Sequence, residues 1–153
     1  MGNSIPSTDS VIIEQSMLEF LNTWPEKPVE IKLDELDKKD SSMMFQPLSG
    51  TKKGRTYING SYNGEFSFAI YVRAVNLDTK HKLDARKTLN SLDEWFSQKN
   101  DMKEFINLPS LSGGNTAIKI EMTSTPSIAA RYDDGTDDYQ AIFSLSYKHK
   151  EEK

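Results

Sequence analysis

"EFSFAIYVRAV", residues 65–75, is the stretch on which the fold turns. Phe66, Phe68, Ile70 and Val72 fall on one side of an extended chain, with Glu65, Ser67, Ala69, Tyr71 and Arg73 on the other. Successive side chains of a strand point to opposite faces, so this alternation predicts a half-buried strand. Its length exceeds that of most strands, which implies a central position in a sheet or an extended arm.

Working back from this strand, the loop "SGTKKGRT" (49–56) reads as an exposed connection, and "RTYING" as the start of a short strand. "MMFQPL" precedes it, where Pro47 points to an edge strand or a strand end because proline cannot donate to a ladder. Earlier still, Val29, Ile31 and Leu33 alternate with Glu30 and Lys32 as a further half-buried strand. Residues 8–23 change period: Ile13, Met17, Phe20, Leu21 and Trp24 recur every three or four positions, the stripe of a core-facing helix that Pro25 ends.

Working forward, Ala85, Leu89, Leu92 and Phe96 form a second helical stripe over 79–99, with Trp95 at its margin and Lys82, Arg86, Lys87 and Asp93 elsewhere. A short helical turn is expected around "MKEFINL", stopped by Pro109. Ile118, Ile120 and Met122 then alternate until Pro126, and Ile128, Ala130 and Tyr132 make a short strand. Tyr139, Ala141, Phe143, Leu145 and Tyr147 close the chain as an unbroken alternation. The order is helix, three or four strands, helix, three strands. It predicts an α+β fold, a mostly antiparallel sheet with two main helices on one face plus extended strand and loop arms. Residues 1–8 read as a flexible N-terminal arm, 9–148 as a single domain and 149–153 as a frayed tail.

The chain has 153 residues, 36% apolar and 27% charged, enough for one domain with a proper core. A net charge of −4 argues against gripping nucleic acid, which draws on clustered positive charge. The absence of cysteine excludes disulfides, thiolate metal sites and Cys nucleophiles. The first residues lack the basic and apolar regions of a signal peptide, and Pro6 stands where a myristoylation signal needs Ser or Thr. No apolar stretch approaches the roughly 20 residues of a membrane span. The composition fits a soluble protein made in the cytoplasm.

The densest candidate site is "RYDDGTDDYQ" (131–140), with Asp133, Asp134, Asp137 and Asp138. An EF-hand calcium loop needs ligands at alternating positions and a glutamate twelve residues in, and neither is present. Two-carboxylate acid–base chemistry needs one carboxyl in an apolar pocket, whereas a strand end leaves carboxyls in water. "DDG" is hairpin-turn chemistry, with Gly135 expected at the positive-φ position. His81 and His149 lie at a helix start and in the tail, and no nucleophile, phosphate-loop or dinucleotide pattern occurs. The expectation is no catalytic residue, no cofactor and no metal. The basic run Lys52, Lys53 and Arg55 is a candidate contact for a partner or a neighbouring subunit.

The helix "VIIEQSMLEFLNTW", the long strand "YNGEFSFAIYVRAVN" ending in an arginine, the helix "ARKTLNSLDEWF" and the closing "TPSIAARYDDGTDDYQAIFSLSYK" occur in an order that resembles the minor capsid or tail-terminator proteins of long-tailed bacteriophages and prophages. The likeness spans most of residues 8–148 and rests on structural alternations. It implies an architectural α+β subunit that joins copies of itself in a ring, commonly a hexamer. Such a ring caps the tail-tube protein and meets the head-completion protein of the neck. DNA passes through it unread, the protein resides in the virion after assembly in the bacterial cytoplasm, and there is no turnover. Under this resemblance Asp133, Asp134, Asp137 and Asp138 would face the lumen, where acid repels phosphate, or a neighbouring subunit. Lys52, Lys53 and Arg55 would face a neighbour or the tube. The alternatives are a small monomeric ligand-binding or regulatory domain, which needs an apolar pocket with convergent polar groups, and an Asp-dependent metalloenzyme.

Overall fold

A computed structural model describes residues 7–36, 42–56, 62–75, 79–102, 107–108 and 114–150. The elements run α1 (Ser7–Leu21), β1 (Ile31–Leu33), β2 (Ser42–Thr56), β3 (Tyr62–Ala74), α2 (Thr79–Met102), β4 (Asn107–Leu108), β5 (Gly114–Arg131) and β6 (Asp137–Lys150). One six-stranded sheet has the order β1-β2-β3-β6-β5-β4. Only β1 and β2 pair in parallel; every other pairing is antiparallel. This is the α+β architecture that the mixed periods predict.

The strand read first, β3, is central. It pairs with β2 on one side and along its full length with β6 on the other, from Tyr62↔His149 to Ala74↔Asp137. Because both strands keep an unbroken period of two, their apolar sets share one face: Phe66, Phe68, Ile70 and Val72 with Tyr139, Ala141, Phe143, Leu145 and Tyr147, all buried. Phe68 stacks on its register partner Phe143 at 5.6 Å and meets the edge of Phe96 from α2 at 6.4 Å. Helix α1 buries Ile13, Met17 and Leu21 in the same core, and Phe20 stacks on Trp95 of α2 at 4.8 Å. Both helices therefore cover the same face. Each large side chain removed from water there contributes about 1.5–3 kcal/mol. Gly64 has no side chain for a steric reason: a Cβ at that position would clash with Cζ of Tyr147 and lie 2.6 Å from its Cε1.

Several boundaries differ from the sequence reading. The loop expected at 49–56 belongs to β2, because Thr51, Lys52, Lys53 and Thr56 pair with Phe66, Glu65, Gly64 and Tyr62. Gly50 and Gly54 fall inside two register shifts, where bulges absorb the extra residues. Pro126 does not end a strand: β5 runs through it, at a register shift between Ser124 and Ser127. Ile118, expected inside, is 48% exposed, since a bulge between Ala117 and Lys119 gives the buried place to Ala117. Leu33 is exposed at the short edge strand β1, where Asp34 turns the chain away at φ 52°. Asn107 and Leu108, expected in a helical turn, form β4; residues 103–106 lie outside those described. Ser7 and Thr8 of the expected arm are helical, and His149 and Lys150 of the expected tail continue β6. Residues 1–6 and 151–153 lie outside the described set, as do Tyr57–Gly60 of the short strand expected at 55–60.

Candidate functional site

The β5–β6 hairpin is built as the turn chemistry dictates. Gly135 N–H donates to the Tyr132 carbonyl at 3.2 Å, and Tyr132 N–H donates to the Thr136 carbonyl at 2.9 Å. Gly135 takes φ 93°, the left-handed conformation that glycine adopts without strain. Asp134 Oδ1 accepts the Thr136 N–H at 3.0 Å, a local bond that replaces a missing backbone partner. Asp133 and Asp134 are exposed at the tip.

Asp137 and Asp138 correct the expectation that water bathes all four carboxylates: they are 0% and 4% exposed. Asp138 lies on the sheet face opposite the helices, directly across from Arg73 in register. Arg73 Nε donates to Asp138 Oδ1 at 2.7 Å and Nη2 to Oδ2 at 2.9 Å, the two-pronged geometry of a strong ion pair. Tyr132 Oη donates to Oδ2 at 2.9 Å, and its ring lies 5.3 Å from the Arg73 guanidinium carbon. Asp137 points to the other face, where Oδ1 accepts from Arg131 Nε at 3.2 Å and Oδ2 is buried with no hydrogen-bond partner.

Hydrogen bonding to the Asp138 carboxylate raises the Tyr132 phenol above its ordinary value, with Arg73 opposing, and also raises the Arg73 guanidinium. A raised value in the folded state means that the Tyr132 contribution to stability is complete below the ordinary phenol range. It is lost as pH climbs through the folded value. Tyr132→Phe is therefore expected to flatten the alkaline limb of the stability–pH curve while leaving the neutral-to-acid limb in place, measured by denaturant midpoints across pH.

The cluster forms the floor of a concavity of about 570 Å³ on the open face, lined among others by Met44, Gln46, Tyr71, Ile128 and Gln140. A second hollow of about 230 Å³ on the turn side shares Arg73 and Tyr132 and reaches Asp134 and Thr136. Both oxygens of Asp138 are engaged, so the arrangement is a strut that fixes the hairpin on β3. No group of three or more acidic or histidine side chains among the described residues is placed to hold a metal ion.

The second set of candidate residues is far from the first. Lys52 and Lys53 pair with Glu65 and Gly64 near the start of β3, whereas the hairpin joins its end at Arg73 and Ala74. Gly64 to Ala74 is ten steps, about 33 Å at the rise of a strand. Lys148 and Lys150 of β6 lie at the same end as Lys52 and Lys53. Exposed Asp133 and Asp134 thus lie at one end of the sheet, and the strand positions of Lys52, Lys53, Lys148 and Lys150 at the other. Arg73 and Tyr132 were not among the sequence candidates; the signal available was the polar face of the 65–75 alternation, which carries Arg73 beside Tyr71.

No family model matches the chain, and no curated protein matches it in sequence. Among the described residues no helix is long and apolar enough to cross a membrane.

Proposed function

We propose that this chain is an architectural subunit of a long-tailed bacteriophage or prophage, a tail terminator or minor capsid protein. In this reading its copies join in a ring that caps the tail tube and meets the neck, and the chain turns over no substrate and holds no cofactor. The observation that carries it is the charge polarity of the sheet, with Asp133 and Asp134 exposed at one end and the strand positions of Lys52, Lys53, Arg55, Lys148 and Lys150 at the other. Two different, complementary patches on one molecule favour head-to-tail contact, which closes into a ring when the rotation between neighbours permits. Complementary charge steers such contacts and fixes their register more than it adds affinity. Asp137 and Asp138 serve within the subunit, so the exposed pair carries the contact.

The test is sedimentation of the purified protein across a concentration series at low and high salt, alone and with tail-tube protein. The proposal expects a closed oligomer of fixed size, weakened by salt because exposed charges are screened within about 10 Å at 0.1 M. A single species of monomer mass under every condition, tube protein included, contradicts it.

The concavity above Arg73 and Asp138 supports a second reading, a small-ligand domain, because Gln46 and Gln140 line it together with Met44, Tyr71 and Ile128. Saturation-transfer screening with small aromatic amides separates the two: binding that shifts the Tyr132 and Gln140 signals in a strict monomer favours the ligand reading.

A further inference from the structure

The outer edge of β5 shows how the molecule treats its open strands. β5 spans Gly114–Arg131, yet β4 covers only Asn115 and Thr116 of it. Beyond β4, among the described residues, backbone partners come from side chains of α2. Asn100 Nδ2 donates to the Ile120 carbonyl at 2.7 Å, and Ile120 N–H donates back to Asn100 Oδ1 at 3.0 Å. The Met122 backbone N–H favours the Asp93 carboxylate, opposing the burial that raises its pKa. Arg86 Nη1 donates to the Pro126 carbonyl at 3.2 Å, while its guanidinium lies 5.2 Å from the Tyr139 ring. Arg86, Asp93 and Asn100 are seven residues apart, close to two helical turns, so they form one line along α2.

The same device closes the opposite edge. Asn22, just past the end of α1, donates through Nδ2 to the Ile31 carbonyl at 3.0 Å and accepts the Ile31 N–H at 3.0 Å. In both places one amide satisfies both backbone groups of an edge residue, as a neighbouring strand would. β5 also carries Pro126 and four register shifts, further features that discourage strand addition.

We propose that the Arg86–Asp93–Asn100 line of α2 is a surrogate strand. It holds shut an edge of β5 that would otherwise pair, antiparallel and two-fold, with β5 of a second copy. An identical strand is the natural occupant, because one edge meeting itself about a two-fold axis needs no second complementary surface. The line thereby directs association of copies away from the sheet edge, and this inference does not depend on the proposed ring.

The test is amide hydrogen exchange combined with sedimentation on wild type, on the double variant Asp93→Ala/Asn100→Ala, and on the exposed α2 control Asn90→Ala. In wild type the Ile120 and Met122 amides are expected to be protected. In the double variant both are expected to exchange at least about tenfold faster in dilute solution, a change of 1.4 kcal/mol or more in opening free energy. Raising the concentration should then bring new oligomers and renewed protection of the same two amides; the control should match wild type. Wild-type Ile120 and Met122 amides that exchange like exposed ones overturn the proposal. So does a folded double variant with fast amides that keeps the wild-type size at every concentration. If the double variant loses its fold, Asn100→Ala alone is judged by the same two readouts.

Discussion

Asp138→Ala is expected to lower unfolding stability by about 3 kcal/mol, because it removes the bidentate carboxylate that balances the largely buried Arg73 charge. The side chains of the pair are 14% and 6% exposed, so the loss belongs to the range for broken buried ion pairs and not to that of surface pairs. Removing both partners in Arg73→Ala/Asp138→Ala should cost less than the sum of the single losses, since no uncompensated charge remains. Denaturant melts of the four proteins give the coupling. Because the pair is largely dry, the loss should persist in high salt. Tyr132→Phe leaves the bidentate pair whole and should cost less than either single change.

Phe68→Ala is expected to be more damaging, at about 3–5 kcal/mol. Its ring touches four others, with centroids 5.3 Å from Phe45, 5.6 Å from Phe66, 6.4 Å from Phe96 and 5.6 Å from Phe143. They come from β2, β3, α2 and β6, so no single element can move in to fill the void. A domain of this size has a total stability of about 5–15 kcal/mol, which makes this one substitution a large share of it. Thermal and denaturant melts read the loss directly, and Phe68→Leu should recover much of it by refilling volume.

These two sites differ in how far the sequence announced them. The Phe66–Val72 alternation and the Tyr139–Tyr147 alternation are unbroken, and unbroken periods are what a pleated strand writes into a sequence; both were legible, although β3 begins at Tyr62 and β6 extends from Asp137 to Lys150. The helical stripes were legible for the same reason, down to Trp24 at the end of the first. β2 and β5 were read short because their bulges add residues and reset the period, while the partner strand keeps the ladder going. No local pattern around Gly50, Gly54 or Pro126 reports what β3 or β6 does across the sheet. The acidic turn was half legible. Gly135 and the exposed Asp133 and Asp134 follow from turn chemistry, but Asp137 shares its parity with buried Tyr139 and Asp138 with Gln140. Carrying the alternation two places back would have put Asp137 inside. Asn22 and Asn100 had no sequence signal, since each acts on a backbone many residues away.

The charge polarity of the sheet is the central claim, and charge reversal at each end tests it most directly. Sedimentation should compare wild type, Asp133→Lys/Asp134→Lys, Lys52→Asp/Lys53→Asp, and the protein carrying all four changes. The account predicts that either reversal alone abolishes the wild-type oligomer, because like charges then meet at every junction, and that combining them restores it. Oligomers of unchanged size in both single-ended reversals would contradict the account.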